Sequence, residues 1–520
     1  MIGWFVFFAI PVARNLFFFA GDRLRPFAAL NACAGRCELF LGIWRDLFIF
    51  AASLFLLIRQ SVWQIQSKQF VGWEVQAVNL LLIGWVVYSR WWRWQGLKPL
   101  AIFMHRHPTV DPREFYQHLY SCFGFLPHTF PKNPKKTFDP HHLDFSSGAS
   151  GKQSFGRMLH IGYDMAMMSG LAYHSFKWFK PKEAIECANV CGLQWGARAA
   201  QLARALVMIE KASEEARTPR GRYVVVFNHK SFFDFAFAPL ALFDPAHKSM
   251  SGWVPRFFVA KDHFMDNFVL GRLMHLGPLM RQWEMIFVDR KSKDPNRGKV
   301  VIRDAVRRLV RDPIPIAIYP QGTRAYGQRD RFGKRWDAGY FCVGKKDRMK
   351  RDKSHLKNGV ATLAMAMVHA GREISVWPIG VEGTGTACPR NSLRVQTGVT
   401  IRFRLGEPIA VSNQDTPEQL MNRVDQSLQK LTDVQTRLER RFLTDLREVV
   451  DAHFWEEVAV SLNAWRGQDD FLYLLLDYLY ACPQKYWRPF LHELAQLLRD
   501  HPATRESYFS LRDRIVAHIS

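Results

Sequence analysis

The chain has 520 residues, more than one ordinary domain holds, and its 48% hydrophobic content excludes a disordered or fibrous protein. Eight cysteines without dense spacing exclude a disulfide scaffold and point to a reducing compartment. Lys and Arg number 71 against 47 Asp and Glu, a formal +24, a field that draws nucleic acid, anionic lipid or acidic carriers without choosing among them.

The N-terminus carries three apolar runs. MIGWFVFFAIPVARNLFFFA is interrupted by Pro11 and Arg14 and lacks both the charged start and the cleavage site of a secretory leader, so its retention is expected. Leu39 to Ile58 contains Arg45 and Asp46, which leaves twelve uncharged residues where a direct crossing needs roughly 20. The third, Val75 to Ser89, runs into SRWWRWQGLK, where tryptophans suit the headgroup level and arginines suit anionic lipid. Residues 1–98 therefore read as a membrane-associated region, whether spanning or lying in one leaflet. If two helices span, the basic remainder of the chain is cytoplasmic by the positive-inside tendency.

Residues 99–150 read as a connector rich in Pro, Lys, Ser and Gly, in which His141, His142 and Asp144 are polar loop residues without a role. The pairs Cys33/Cys37 and Cys187/Cys191 have CxxxC spacing but no second pair to complete a metal site, so no metal is expected.

From residue 151 the pattern changes. IGYDMAMMSGLAYHSF and ANVCGLQWGARAAQLARALVMIEKA have helical spacing. Short β-rich runs follow: YVVVF, RFFVA, MIFVD, PIAIY, EISVWPIGV and VTIRFRL, with helical stretches such as AVRRLVRD and LKNGVATLAMAMVHAG between several of them. The early strands are apolar on both faces, as in a sheet covered on both sides. This predicts an α/β domain over 151–410, a mixed, mostly parallel sheet flanked by helices. The region 411–520 reads as helical and begins at Thr416-Pro417-Glu418, a cap followed by Pro at the first helical position.

In such sheets chemistry collects at the strand ends. The first gives FNHKSFFD, which has two readings. Ser231-x-x-Asp234 has the form of a capping box, with His229 a polar turn residue. Alternatively, Asp234, one turn into the helix, meets His229, fixes its tautomer and makes it a general base for a hydroxyl. The later strand ends are AKDHF, VDRKS, YPQGTRAYG and WPIGVEGTG.

Taken together, these blocks resemble the glycerolipid acyltransferase family of the lysophosphatidic acid acyltransferase type. NHKSFFD looks like its NHxxxxD (HX4D) block, AKDHF its second, IFVDR its third, YPQGTR its fourth, and WPIGV, with Pro378, its closing block. The resemblance covers roughly residues 200 to 410. It implies transfer of a fatty acyl group from acyl-CoA or acyl carrier protein to a lysophospholipid or glycerol-phosphate-type hydroxyl, with no bound cofactor and no covalent acyl-enzyme. It further implies His229 as base, Asp234 as its partner, and Lys261, Arg290, Gln321, Gly322, Thr323 and Arg324 as the substrate-binding set. Arg offers bidentate contact to a phosphate, and Gly lets backbone approach it.

The resemblance implies a membrane lipid acceptor and acyl carrier protein as partners, the +24 charge adds an anionic membrane surface, and the N-terminal runs put the catalytic domain on the cytoplasmic side of a membrane. The family usually has Glu where this chain has Gln321, which keeps open a second reading, a catalytically silent membrane-surface or scaffold protein on the same fold. Between Ala325 and Lys357 lie eleven Lys or Arg and four Asp, either a solvated loop or a patch for anionic headgroups or an acidic carrier. No zinc, RRM-like or helix-turn-helix pattern is present, so nucleic acid is not an expected partner.

Overall fold

A computed structural model describes residues 97–122, 130–149, 151–216, 218–243, 254–267, 276–290, 296–312, 314–322, 356–389, 392–432, 434–466 and 487–500, with a few positions between them. The predicted membrane region thus lies outside the described residues apart from isolated positions. Among the described residues, no helix is long and apolar enough to cross a membrane.

The chain divides into two compact units, residues 1–139 with 167–194 and residues 140–166 with 195–520. In the first, residues 97–106 are helical and α1 (Pro112–Ser121) follows, capped by the Asp111 side chain with Pro at its start. The presumed connector therefore carries regular structure. Gln194 ties this unit together by donating to the carbonyls of Pro108, at 2.7 Å, and Val110, at 3.0 Å.

The second unit is built on a nine-stranded sheet. Its strands are β1 (His142–Asp144), β3 (Leu206–Lys211), β4 (Tyr223–Phe227), β5 (Arg256–Ala260), β6 (Ile286–Val288), β7 (Ile316–Ile318), β10 (Ser375–Glu382), β12 (Thr400–Leu405) and β13 (Ile409–Ala410). Two small ladders join β2 (Gln153–Ser154) to β11 (Val395–Gln396) and β8 (Gln328–Arg329) to β9 (Arg335–Trp336). The main order is β1-β3-β12-β10-β4-β7-β5-β6, with β13 against β10. The pairs β3/β12, β10/β4, β4/β7, β7/β5 and β5/β6 are parallel, and β1/β3, β10/β12 and β10/β13 are antiparallel. The sheet is mixed and mostly parallel, as the sequence predicts.

Parallel pairing needs crossovers. The helices are α2 (Phe155–Trp178), α3 (Pro181–Ala203), α4 (Phe233–Leu242), α5 (Lys261–Phe264), α6 (Leu276–Gln282), α7 (Arg297–Arg311), α8 (Gly359–His369) and α9 (Thr384–Ala387), followed by α10 (Pro417–Thr432), α11 (Val434–Arg447), α12 (Trp455–Arg466) and α13 (Trp487–Asp500). All five residues of β4 are buried, so both its faces are covered. One continuous core joins Val224, Val226, Ile316 and Val376 of the sheet to Leu309 of α7 and Val360 of α8. It extends through Leu420, Val424 and Leu428 to Phe442, Trp465 and Leu494. The C-terminal helices thus share the core of the sheet.

Two local features depart from the sequence reading. ALVMIEKA was read as the end of a helix, but α3 stops at Ala203 and Leu206–Lys211 is a strand. Arg204 takes a left-handed φ of 46°, and the Ala205 N–H donates to the Ala200 carbonyl at 3.0 Å, a Schellman-type ending. Apolar residues beyond the stop continue the helical spacing by coincidence, and pairing with β1 and β12 makes them β. The second feature is Pro378, inside a central strand. It sits where the partner on one side changes from β13, opposite Ser375 and Val376, to β12, opposite Ile379 to Glu382.

Candidate active site

Because β4, β5, β6, β7 and β10 run in the same direction, their C-terminal ends share one edge of the sheet. β4, β5, β6 and β7 deliver the first four blocks there, where open α/β sheets bind ligands, while the closing WPIGV block lies within β10 itself.

Asn228 follows β4 and is wholly buried. Its amide nitrogen donates to the Val381 carbonyl at 2.8 Å, and its oxygen accepts from the Val381 N–H at 2.6 Å. This double bond to β10 fixes where the chain leaves the sheet. His229 comes next. Its Nδ1 lies 2.9 Å from Asp234 Oδ2, with the imidazole 21% exposed and the carboxylate 0%. A carboxylate only accepts, so Nδ1 carries the proton and Nε2 of the neutral ring is left as the acceptor.

Asp234 holds more than the histidine. The same Oδ2 accepts the backbone N–H groups of Lys230, at 2.6 Å, and Ser231, at 2.9 Å. The bond to Ser231 N–H is one half of the predicted capping box. The Ser231 hydroxyl instead donates to the Cys388 carbonyl at 2.7 Å and accepts from the Phe233 N–H at 3.1 Å, so it bonds one residue earlier in the first turn. Capping and orientation of His229 are thus carried by one carboxylate oxygen.

The fourth block closes over the imidazole. The Tyr319 ring stacks on His229 with centroids 4.2 Å apart and planes 29° from parallel. Burial, reinforced by the charge of Asp234, raises the Tyr319 phenol well above its ordinary value of 10, so it stays neutral. Gln321 is 1% exposed, and its Oε1 accepts the His229 backbone N–H. The side chain assigned to substrate on sequence grounds therefore braces the β7 turn against the β4 turn. Gly322 has φ +69° and closes the turn by donating its N–H to the Tyr319 carbonyl at 2.9 Å. Thr323 lies outside the described residues.

The other strand ends carry basic residues. The Arg324 guanidinium lies 5.9 Å from the centroid of the Phe232 ring, between the histidine and its aspartate in sequence. Lys261 opens α5 directly after β5. Arg290, past β6, donates to Asp262 Oδ2 at 2.8 Å and lies 3.0 Å from His263 Nε2. That hydrogen bond holds the Asp262 carboxyl below its usual range. Burial, then the charge of Arg290, lowers His263 below its ordinary 6.5, so it is neutral at pH 7. Burial raises the Cys388 thiol, which makes it a poor nucleophile. Among the described residues, no three His, Cys, Asp or Glu side chains gather as a metal site.

Residues 208–382 match the family model Acyltransferase. This segment is an acyltransferase domain. The match begins in β3 and ends with β10, and so encloses all five blocks. No curated protein matches the chain. Among solved structures, the 1-acyl-sn-glycerophosphate (LPA) acyltransferase PlsC from Thermotoga maritima is similar at 16% identity. The likeness covers 53% of this chain and 92% of that chain, with a TM-score of 0.37, which is too low to support inference about site or substrate.

Sequence reasoning found the acyltransferase blocks but passed over Tyr319, Asp262, His263 and Lys357. Tyr319 and Asp262 stand inside the quoted blocks, yet neither the stacking nor the ion pair has a signature in linear spacing. Lys357 is brought back to the site across more than thirty residues, with its N–H donating to the Pro320 carbonyl at 2.8 Å.

Proposed function

We propose that this chain moves a fatty acyl group from an acyl thioester, acyl-CoA or acyl carrier protein, to the hydroxyl of a lysophospholipid or glycerol-phosphate-type acceptor. The reaction takes place at the cytoplasmic face of a membrane. The observation that carries the chemistry is the buried Asp234 carboxylate on His229 Nδ1, which leaves Nε2 to take a proton at the strand edge.

In this reading Nε2 removes the acceptor's hydroxyl proton as its oxygen forms a bond to the thioester carbonyl carbon. Asp234 stabilises the imidazolium that results. The tetrahedral intermediate then collapses, the carbon–sulfur bond breaks, and the imidazolium returns its proton to the departing thiolate. No enzyme nucleophile is needed, which suits a site whose nearby thiol, Cys388, is held protonated. The membrane setting is supported by the Trp- and Arg-bounded apolar runs before residue 98 and by the +24 charge.

The test is acyl transfer by membranes bearing the full chain, with a labelled acyl thioester and a panel of lysophospholipid and glycerol-phosphate acceptors. Loss of about 10²–10⁴-fold in His229→Ala, with folding and membrane binding kept, is the expected result. Unchanged transfer in that variant overturns the base assignment. A wild type that acylates no acceptor favours the silent scaffold.

A further inference from the structure

Lys357 stands at the last described turn before α8, far in sequence from the five blocks. Its backbone N–H bonds the Pro320 carbonyl at 2.8 Å, which fixes it beside the Tyr319–Gly322 turn. Its side chain lies over Gly322. A Cβ placed on that glycine would sit 2.6 Å from Lys357 Nζ, 2.9 Å from Cε and 3.1 Å from Cδ. The ammonium therefore occupies the space that a side chain at 322 would fill, and the left-handed φ of +69° independently demands glycine there.

Two facts give this placement a chemical meaning. The preceding residue, Gln321, bonds the backbone of His229, so the turn under Lys357 is the one that braces the base. Arg290, which the family resemblance offers as an anion ligand, is already paired with Asp262 at 2.8 Å, so much of its charge is spent. Lys357 makes no ion pair with a carboxylate among the described residues.

We propose that Lys357 receives the acceptor's phosphate over Gly322, and that its charge makes the site prefer a phosphorylated acceptor to a neutral one. The proposal rests on the acyl-transfer reading and deepens it. A phosphate two or three carbons from the hydroxyl that approaches His229 meets an ammonium over the neighbouring turn, the one whose Gln321 braces that histidine. Lysine acts there as a point charge, since the Gly322 N–H already bonds the Tyr319 carbonyl.

The experiment compares 1-acylglycerol 3-phosphate with monoacylglycerol as acceptors, using the full chain in membranes, for wild type, Lys357→Gln and Lys357→Arg. Lys357→Gln is expected to raise KM for the phosphorylated acceptor about 10- to 100-fold, the effect of losing one charge-assisted hydrogen bond. The KM for the thioester and kinetics on monoacylglycerol should stay within about threefold, and Lys357→Arg should recover most of the loss. An equal loss on both acceptors, or an unmoved KM, overturns the proposal while leaving the acyltransferase reading intact.

If the wild type transfers to neither acceptor, that reading fails instead. Calorimetric binding of glycerol 3-phosphate then decides for Lys357. Binding kept in His229→Ala and lost in Lys357→Gln supports it. Equal affinity in Lys357→Gln, or no binding by wild type, refutes it.

Discussion

Asp234→Asn separates the two tasks of one carboxylate. Oδ2 accepts from His229 Nδ1 and from two backbone N–H groups, at 2.9, 2.6 and 2.9 Å. The two backbone donors require an oxygen at that position, so asparagine is expected to seat its carbonyl there and keep Nδ1 as the protonated nitrogen. Only the charge is lost. At an effective dielectric of about 20, a carboxylate some 4 Å from a developing imidazolium contributes about 4 kcal/mol, nearly a 10³-fold effect on the rate.

The remaining amide NH2 falls where Oδ1 is buried with no hydrogen bond among the described residues. That unsatisfied donor is expected to cost about 1–3 kcal/mol of stability. The assay is kcat for acyl transfer across pH 5–9, with denaturant unfolding of the same preparation. The expected result is a loss in kcat of about 10²–10⁴-fold at every pH, with the fold retained. Activity within tenfold of wild type would refute the role of the charge.

Gln321→Glu keeps the acceptor for the His229 N–H but buries a negative charge beside the His229–Asp234 pair. The acid limb of the pH–rate profile should move upward by about one unit, with the ratio among acceptors little changed, and an unmoved limb would count against Gln321 as a brace on the base. At the start of β5, away from the site, Arg256 is 4% exposed and pairs with Asp312 at 2.6 Å and Glu284 at 2.6 Å. Although burial raises Asp312, its bonds to Arg256 and Arg311 prevail and hold the carboxyl below its ordinary 3.8. A carboxyl lowered in the folded state stabilises fully above pH 3.8 and loses that contribution as pH falls through the folded value. Asp312→Asn should therefore cost about 1–3 kcal/mol in urea unfolding at pH 7 and distinctly less near pH 3, and an equal cost at both would contradict the pairing.

The sequence by itself singled out the candidate residues, because short motifs at strand ends mark them. YVVVF and RFFVA are strands over the residues read from the sequence, since β-branched and aromatic runs of that length have few other uses. His229 and Asp234 were legible as a pair because five residues span one turn and the start of a helix. The tertiary structure decided what spacing does not encode. LVMIEK became β3 only because β1 and β12 lie on either side of it. Gln321 turned inward to His229, and Arg290 turned to Asp262, because residues distant in the chain meet at one sheet edge. Lys357 reached Gly322 for the same reason, since parallel strands gather their C-terminal loops wherever those loops fall in sequence.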